Sequence, residues 1–428
     1  MSTSPDEDGT TTISGRAATS VGVAALIAAG TGYAVLVVAA RTLDTATNAD
    51  FLVFWSVLFG VFGVLGGLQQ ETTRAVTNAR LHPRPERPGV PVLSSGLIVG
   101  LVLGGFVLAS SPWWRTTLFG PDSQVQVATL VLATIAFAGY STVAGALAGN
   151  GRWTVMARLV GAEAIGRLSL VAVAVLAGGA LLHLEVASAA AATVWLVALA
   201  VSTQTRQATH ALGDVSRRRF LAQSATAMIA SASSAALVVG FPTLLRASTD
   251  ATVWRTSAPL VLAISLTRAP LLMPLNAYQG VAIAHFLRHR SRGLAALAPL
   301  LAAVVGVGAI GALLAALAGP PIMALFFGAD YRVSGALLAA LTAASTCLAL
   351  LTLTGSCVLA LGRHRPYAAG WLLATAVSAA LLLLDLPLAT RSVVSLAVGP
   401  LVGVAFHLWV AAIETRTVTP DAVAVEDV

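Results

Sequence analysis

Polar residues in this chain come in short bursts, and the stretches between them stay apolar for about 20 residues at a time. A run of that length crosses a ~30 Å hydrocarbon core as an α-helix, the backbone form whose hydrogen bonds close internally where no water is present. Twelve such spans are predicted, at 17–40, 51–72, 90–111, 124–148, 153–181, 186–205, 220–245, 256–284, 294–317, 333–361, 367–385 and 392–413. The pattern thus predicts an all-α polytopic membrane protein. Composition agrees: 57% of residues are hydrophobic and 10% charged, against roughly a quarter charged in a soluble domain.

A phrase recurs within this pattern. "TLFGPDSQ" (117–124) and "LFFGADYR" (325–332) set Phe119, Gly120 and Asp122 208 positions before Phe327, Gly328 and Asp330. Gly151 and Arg152 match Gly362 and Arg363 at an offset of 211, and Gln70 matches Gln279 at 209. Three correspondences in order point to a duplicated unit of about 210 residues holding six spans. An even number of crossings returns the chain to its starting side, so the two six-helix repeats are parallel, related by an axis along the membrane normal and facing a central cavity. The expected organisation is a tail at 1–16, a first bundle at 17–206, a linker at 207–219, a second bundle at 220–413 and a tail at 414–428. The repeated phrase falls at the connections between spans three and four and between spans nine and ten. There, Gly suits the left-handed residue that ends a helix, and Asp suits the N-cap of the next.

All 25 basic residues are arginine, and the pI near 10.4 would fit a nucleic-acid binder if those charges were clustered on one face. They lie instead in short loops, 17 on one side of the twelve-span map and six on the other: Arg41, Arg115, Arg246, Arg255, Arg332 and Arg391. The positive-inside bias then places both termini in the cytoplasm of a multi-pass plasma-membrane protein. The acidic start lacks the basic lead and small-residue cleavage site of a secretory signal. Cys347 and Cys357 both lie in span ten, ~15 Å apart along a helix, too far for a disulfide; they read as packing residues.

Charges inside the spans are the candidates for function. Arg268 stands 12 residues into span eight, ~18 Å along the helix. Glu163 and Arg167 stand ten and 14 residues into span five, four apart on one face, where they can pair. Ionisable groups at such depth normally face a protein interior or a watery cavity. Arg suits phosphate, because its planar fork forms bidentate charge-assisted bonds and it keeps its proton when desolvated. Arg158 near the end of span five reads as an interface anchor. Gln69, Gln70, Glu71 and Arg74 continue span two as a polar stretch, with Glu71 and Arg74 spaced to pair; the second-half counterpart carries Asn276, Gln279 and His285. These two stretches either line the mouth of a cavity or are solvated helix ends. Pro259, Pro270 and Pro274 around Arg268 predict a broken helix. Ser224, Ser231, Ser233 and Ser234 in span seven suit either a polar cavity wall or close helix packing. No phosphate loop and no metal-site spacing appears, so neither ATP hydrolysis by that route nor a cofactor is expected.

The segments "RTLDTATNADFLVFWSVLFGVFGVLGGLQQETTRA" (41–75) and "LFFGADYRVSGALLAALTAASTCLALLTLTGSCVLALGRHR" (325–365), set in twelve spans, resemble the polysaccharide-export flippases of the multidrug/oligosaccharidyl-lipid/polysaccharide (MOP) flippase superfamily. The turn "RTLDTATNAD" departs from the Gly-Pro phrase usual after the first span of that family. The resemblance implies a V-shaped pair of bundles that moves a prenyl-pyrophosphate-linked glycan between leaflets by alternating access. It implies no enzymatic reaction, and partners that include membrane lipids and a polysaccharide polymerase or glycosyltransferases. Of the family's cavity arginines, the role of holding pyrophosphate or anionic sugar transfers to Arg268 and Arg167. Three other readings stand beside this one. A drug or cation antiporter of the same superfamily needs a cavity carboxylate, and Glu163 is the one carboxylate these spans bury deeply. A prenyl-phosphate-sugar glycosyltransferase would have to use Asp44 or Asp50 in a first outer loop of about ten residues. A silent scaffold leaves Arg268 unexplained.

Overall fold

A computed structural model describes residues 15–82, 89–289 and 294–416. Twelve long helical segments follow one another: α1 Gly15–Thr42, α2 Thr45–Leu81, α3 Val92–Phe119, α4 Gln124–Gly149, α5 Trp153–Leu176, α6 Leu181–Val201, α7 Arg217–Val238, α8 Ala258–Arg288, α9 Ala298–Phe327, α10 Gly335–Ala360, α11 His364–Leu381 and α12 Leu388–Arg416. Ten of them, all but α8 and α11, are long and apolar enough to cross a membrane by themselves among the described residues. The chain is a multi-pass membrane protein of two parallel six-helix halves. Each helix overlaps one predicted span, and several overrun it: α2 is 37 residues long, which gives it ~55 Å of length and carries both ends past the hydrocarbon. The span predicted at 186–205 starts earlier, at Leu181, which brings Glu185 inside α6. The span predicted at 220–245 ends at Val238 and a separate short helix, Phe241–Ala247, follows it.

The halves pack alike. In the first, α2 lies on α4, α4 on α3 and α5 on α6; in the second, α8 lies on α10, α10 on α9 and α11 on α12. The repeated turns share backbone geometry as well. Gly120 (φ 88, ψ 178) and Gly328 (φ 116, ψ 167) end α3 and α9 in a region that side chains with a Cβ avoid. Gly151 and Gly362 both have φ 75, and each turn closes on the same pair of backbone bonds, Gly151 to Ala148 and Arg152 to Leu147 matching Gly362 to Leu359 and Arg363 to Val358. Asp does not cap the following helices. The caps are Ser123 before α4 and Ser334 before α10, the latter accepting from the Leu337 amide, while Asp330 lies in a 3-10 turn, Ala329–Tyr331. A serine takes the N-cap position one to four residues past each Asp, but only Ser334 accepts from a helix amide; the Ser123 hydroxyl donates back to the Gly120 carbonyl. Asp44 does cap a helix: it accepts from Ala46 and Thr47 at the start of α2, and bonds from the Thr47 hydroxyl and amide hold its carboxyl below the usual range.

The halves meet chiefly along α2 and α7, where a side chain on Gly67 would strike the Ala227 carbonyl at 2.5 Å, so that only Gly permits the approach. The predicted linker starts within a short helix, Thr203–Thr209, and contributes Leu212 and Gly213 to an antiparallel bridge in which Val90 faces Gly213 and Pro91 faces Leu212. At the arginine-poor end a continuous apolar cluster joins both halves, from Val35, Phe51 and Leu184 to Trp254, Leu262, Phe327 and Tyr331. Cys347 is half-buried and Cys357 buried, both free thiols; Cys357 packs against Phe286 and Leu297.

Candidate substrate cavity

Between the halves lies a cavity of about 330 Å³ walled by α1, α2, α5, α7 and α8, within the size range of small-ligand sites. Arg167 and Arg268 both line it, one from each half, together with Tyr33, Trp55, Ser56 and Phe59. Among the described residues, no Asp or Glu lines it. The opposed helices that build it are apolar on their packed faces, so each arginine is carried to the centre by the hydrophobic run that surrounds it in sequence.

Arg268 is 6% exposed. Its Nη1 donates to the Leu237 and Val238 carbonyls at 2.9 and 3.0 Å. These are the free carbonyls of the α7 C-terminus, where helix dipole and unpaired acceptors both favour a cation. The guanidinium also stands over the Phe241 ring, 5.2 Å from its centroid. Its Nη2 is buried with no hydrogen-bond partner. Arg167 pairs with Glu163 one helical turn away, both side chains almost fully buried. It stands over Phe59 at 4.5 Å and Trp55 at 5.8 Å, and its Nε is buried without a partner. The hydroxyls on the same wall are already used: Tyr33 donates to the Ser265 carbonyl at 2.9 Å, and Ser56 donates to Val239 at 2.8 Å while accepting from Thr243 at 2.9 Å. The cavity therefore has aromatic faces, two cations and two unsatisfied N–H groups.

Of the other sequence candidates, Gln70, Glu71 and Arg74 are not among the residues lining this cavity. Glu71 and Arg74 form a two-bond pair at 2.7 and 2.9 Å, and Arg74 reaches on to Asp214 at 3.3 Å and Gln223 at 3.1 Å. Asn78 also donates to Asp214, at 3.3 Å. This clasp fastens α2 to the segment before α7 and does not border the cavity; Gln70 is exposed beside it. The side chains of Asn276, Gln279, His285, Pro270 and Pro274 lie outside the described residues. The backbone of α8 is nevertheless one uninterrupted helix, and Pro259 occupies its first turn, where no backbone donor is required, so the predicted break at these prolines is absent. The α7 serines do not wall the cavity either. Ser233 and Ser234 bond back to the carbonyls of Ala230 and Ser231, and Ser224 is buried. Arg158 is exposed.

One feature of the site, and one buried acid outside it, had no signature in sequence. Backbone carbonyls, which hold Arg268, look alike at every position. Glu185 sits where an apolar run begins, so its burial depends on where the helix starts. Asp50, proposed above for an alternative chemistry, faces Arg246 and Arg255 of the second half.

Comparison with solved structures places the fold. An inward-facing multidrug resistance MATE family transporter of the MOP superfamily superposes with a TM-score of 0.67 at 13% identity, over 90% of this chain and 93% of that one. An outward-facing one gives 0.63 at 14%, over 94% and 95%. A MOP superfamily transporter from Pyrococcus furiosus, whose binding pocket is described as of reverse polarity and suggestive of a different function, gives 0.63 at 14%, over 94% and 96%. The fold is that of the MOP superfamily transporters. Among curated proteins, the chain is 40% identical to "Uncharacterized protein Rv1510" of Mycobacterium tuberculosis over 388 residues, covering 91% of this chain and 90% of the relative. It is 41% identical to "Uncharacterized protein Rv3630" of the same organism over 390 residues, with the same coverage. The chain belongs to the family of these mycobacterial proteins. No family model matches it.

Proposed function

We propose that this protein is a flippase that carries a prenyl-(pyro)phosphate-linked saccharide across the plasma membrane for cell-surface polysaccharide synthesis, by alternating access between its two halves. The observation that supports this reading is the polarity of the cavity: it is lined by Arg167 and Arg268, each with an unpartnered buried N–H, and among the described residues no carboxylate lines it, Glu163 being paired with Arg167 behind it. A desolvated guanidinium with a free donor matches the phosphate oxygens of an anionic cargo. The aromatic faces of Trp55, Phe59 and Tyr33 suit sugar rings or prenyl carbons beside it. The arginine bias of the connections supports cytoplasmic termini. A multidrug antiporter shares the fold; a cationic drug would meet the uncompensated charge of Arg268 here, beside an Arg167 already paired with Glu163.

Thermal unfolding of the purified protein with and without a short prenyl pyrophosphate tests the site. Farnesyl pyrophosphate is expected to raise the melting temperature, because a ligand at 100 times its Kd stabilises by about 2.7 kcal/mol, and the rise is expected to vanish in both Arg268→Ala and Arg167→Ala. Stabilisation by a lipophilic cation, with none by the pyrophosphate, would overturn the reading.

A further inference from the structure

A second cavity, of about 430 Å³, opens at the arginine-rich end of the chain, where the turn between α4 and α5 meets the short helix that follows α6. Arg152, Trp153 and Thr154 wall it on one side, and Gln204 and Gln207 on the other. It shares no lining residue with the cavity between the halves. Arg152 donates one N–H to the Gln204 carbonyl at 3.2 Å, and among the described residues that is its one side-chain hydrogen bond. Arg80, at the end of α2, brings a second guanidinium to the rim: its Nη1 stands 3.1 Å from where a Cβ on Gly151 would lie, and Gly151 also lines the pocket. Among the described residues no Asp or Glu lines it. Two cations therefore share one opening without a counter-charge, and their repulsion is relieved by an anion placed between them.

The second half carries the same turn with the charge answered. Gly362 and Arg363 repeat the backbone of Gly151 and Arg152, with φ 75 at both glycines and the same closing bonds. There Glu414, near the end of α12, pairs with the arginine at 2.6 Å. The residue 210 positions before Glu414 is Gln204. One copy of the connection thus holds its own counter-ion, while the other has a neutral amide where the carboxylate would stand.

The surroundings of the opening select the source of the anion. α6 ends at Val201, 80% exposed, with Val197, 63% exposed, one turn before it on the same face. On a membrane-spanning helix such a stripe lies against acyl chains. Trp153 is half-buried at the rim, an amphipathic ring of the kind that sits at headgroup level. Apolar stripe, interfacial ring and paired cations follow one another as acyl chain, glycerol and phosphate do in a phospholipid. We infer that this pocket binds the headgroup of an anionic phospholipid from the leaflet at the arginine-rich end. Arg152 and Arg80 hold the phosphate oxygens, and Thr154, Gln204 and Gln207 supply polar contacts to the rest of the headgroup. A zwitterionic lipid is disfavoured, because its ammonium group meets the same two cations. The site takes its lipid whatever cargo the cavity between the halves accepts.

Native mass spectrometry of the delipidated full chain, titrated with dioleoyl phosphatidylglycerol or dioleoyl phosphatidylcholine, tests this. One phosphatidylglycerol is expected to bind more tightly than the choline lipid. Arg152→Ala is expected to weaken that binding roughly tenfold or more, the worth of a charge-assisted hydrogen bond. Gln204→Glu gives Arg152 the counter-charge that Glu414 gives Arg363, so it is expected to weaken the lipid as much while melting no lower than wild type. Gln204→Ala adds no charge and is expected to bind as wild type does. Equal affinity for the two lipids, or phosphatidylglycerol binding that both Arg152→Ala and Gln204→Glu leave intact, would overturn the assignment. Displacement of the bound lipid by millimolar inorganic phosphate would overturn it too, in favour of a soluble anion.

Discussion

At Arg268 three supports converge: two carbonyls of the α7 end, the Phe241 ring and the cavity itself. Arg268→Ala removes both the anchoring bonds and the free donor. Charge-assisted hydrogen bonds contribute roughly 1.5–3 kcal/mol each, so this variant is expected to melt several degrees lower while still reaching the membrane, and to lose transport. Retained transport at normal abundance would take Arg268 out of the site. The Glu163–Arg167 pair separates stability from function. Arg167→Glu leaves two buried carboxylates, and breaking a buried pair costs about 3–5 kcal/mol. Restoring the pair in reverse with Glu163→Arg is expected to recover most of the melting temperature. It is not expected to recover transport, because the guanidinium then leaves the Phe59 face, where it stands 4.5 Å from the ring. A double variant as unstable as the single one contradicts the pairing. These three residues were legible in the sequence because a charge inside an apolar run stands out against its surroundings. Glu185 was not, since at the boundary of a run a charge looks the same whether the helix begins before it or after it.

For the helices, existence and order could be read from apolar length alone, and the ends could not. Polar residues beyond the hydrocarbon continue a helix whenever they find partners, as Arg74 does with Glu71 and Asp214, and that lengthened α2 past its predicted span. The repeated turns show which local signal was decisive. Gly120 and Gly328 hold backbone angles open to Gly alone, whereas the neighbouring Asp residues cap neither following helix and serines take the N-cap positions. Gly120→Ala and Gly328→Ala are therefore each expected to destabilise the protein by about 1–3 kcal/mol, read as a lower midpoint in thermal or denaturant unfolding. Asp122→Ala and Asp330→Ala are expected to change it much less. Equal effects from the Gly and Asp variants would contradict this assignment of roles.

For the whole molecule, the duplication explains why one chain repeats its turns: the same connections recur at the same places in two halves that pack alike. The site exists only where the halves meet, with Arg167 from one and Arg268 from the other, so neither six-helix unit contains it alone. That juxtaposition could not be read from sequence, in which the two arginines are 101 positions apart and carry no common motif. Fold and cavity polarity together support the proposal that the cargo is an anionic lipid-linked glycan. Mass spectrometry of lipid extracts from cells with and without this gene tests it most directly. Loss of the gene is expected to make a complete prenyl-linked oligosaccharide accumulate while its surface polymer disappears. A prenyl-linked lipid profile that does not change, or one showing a truncated glycan, would contradict it.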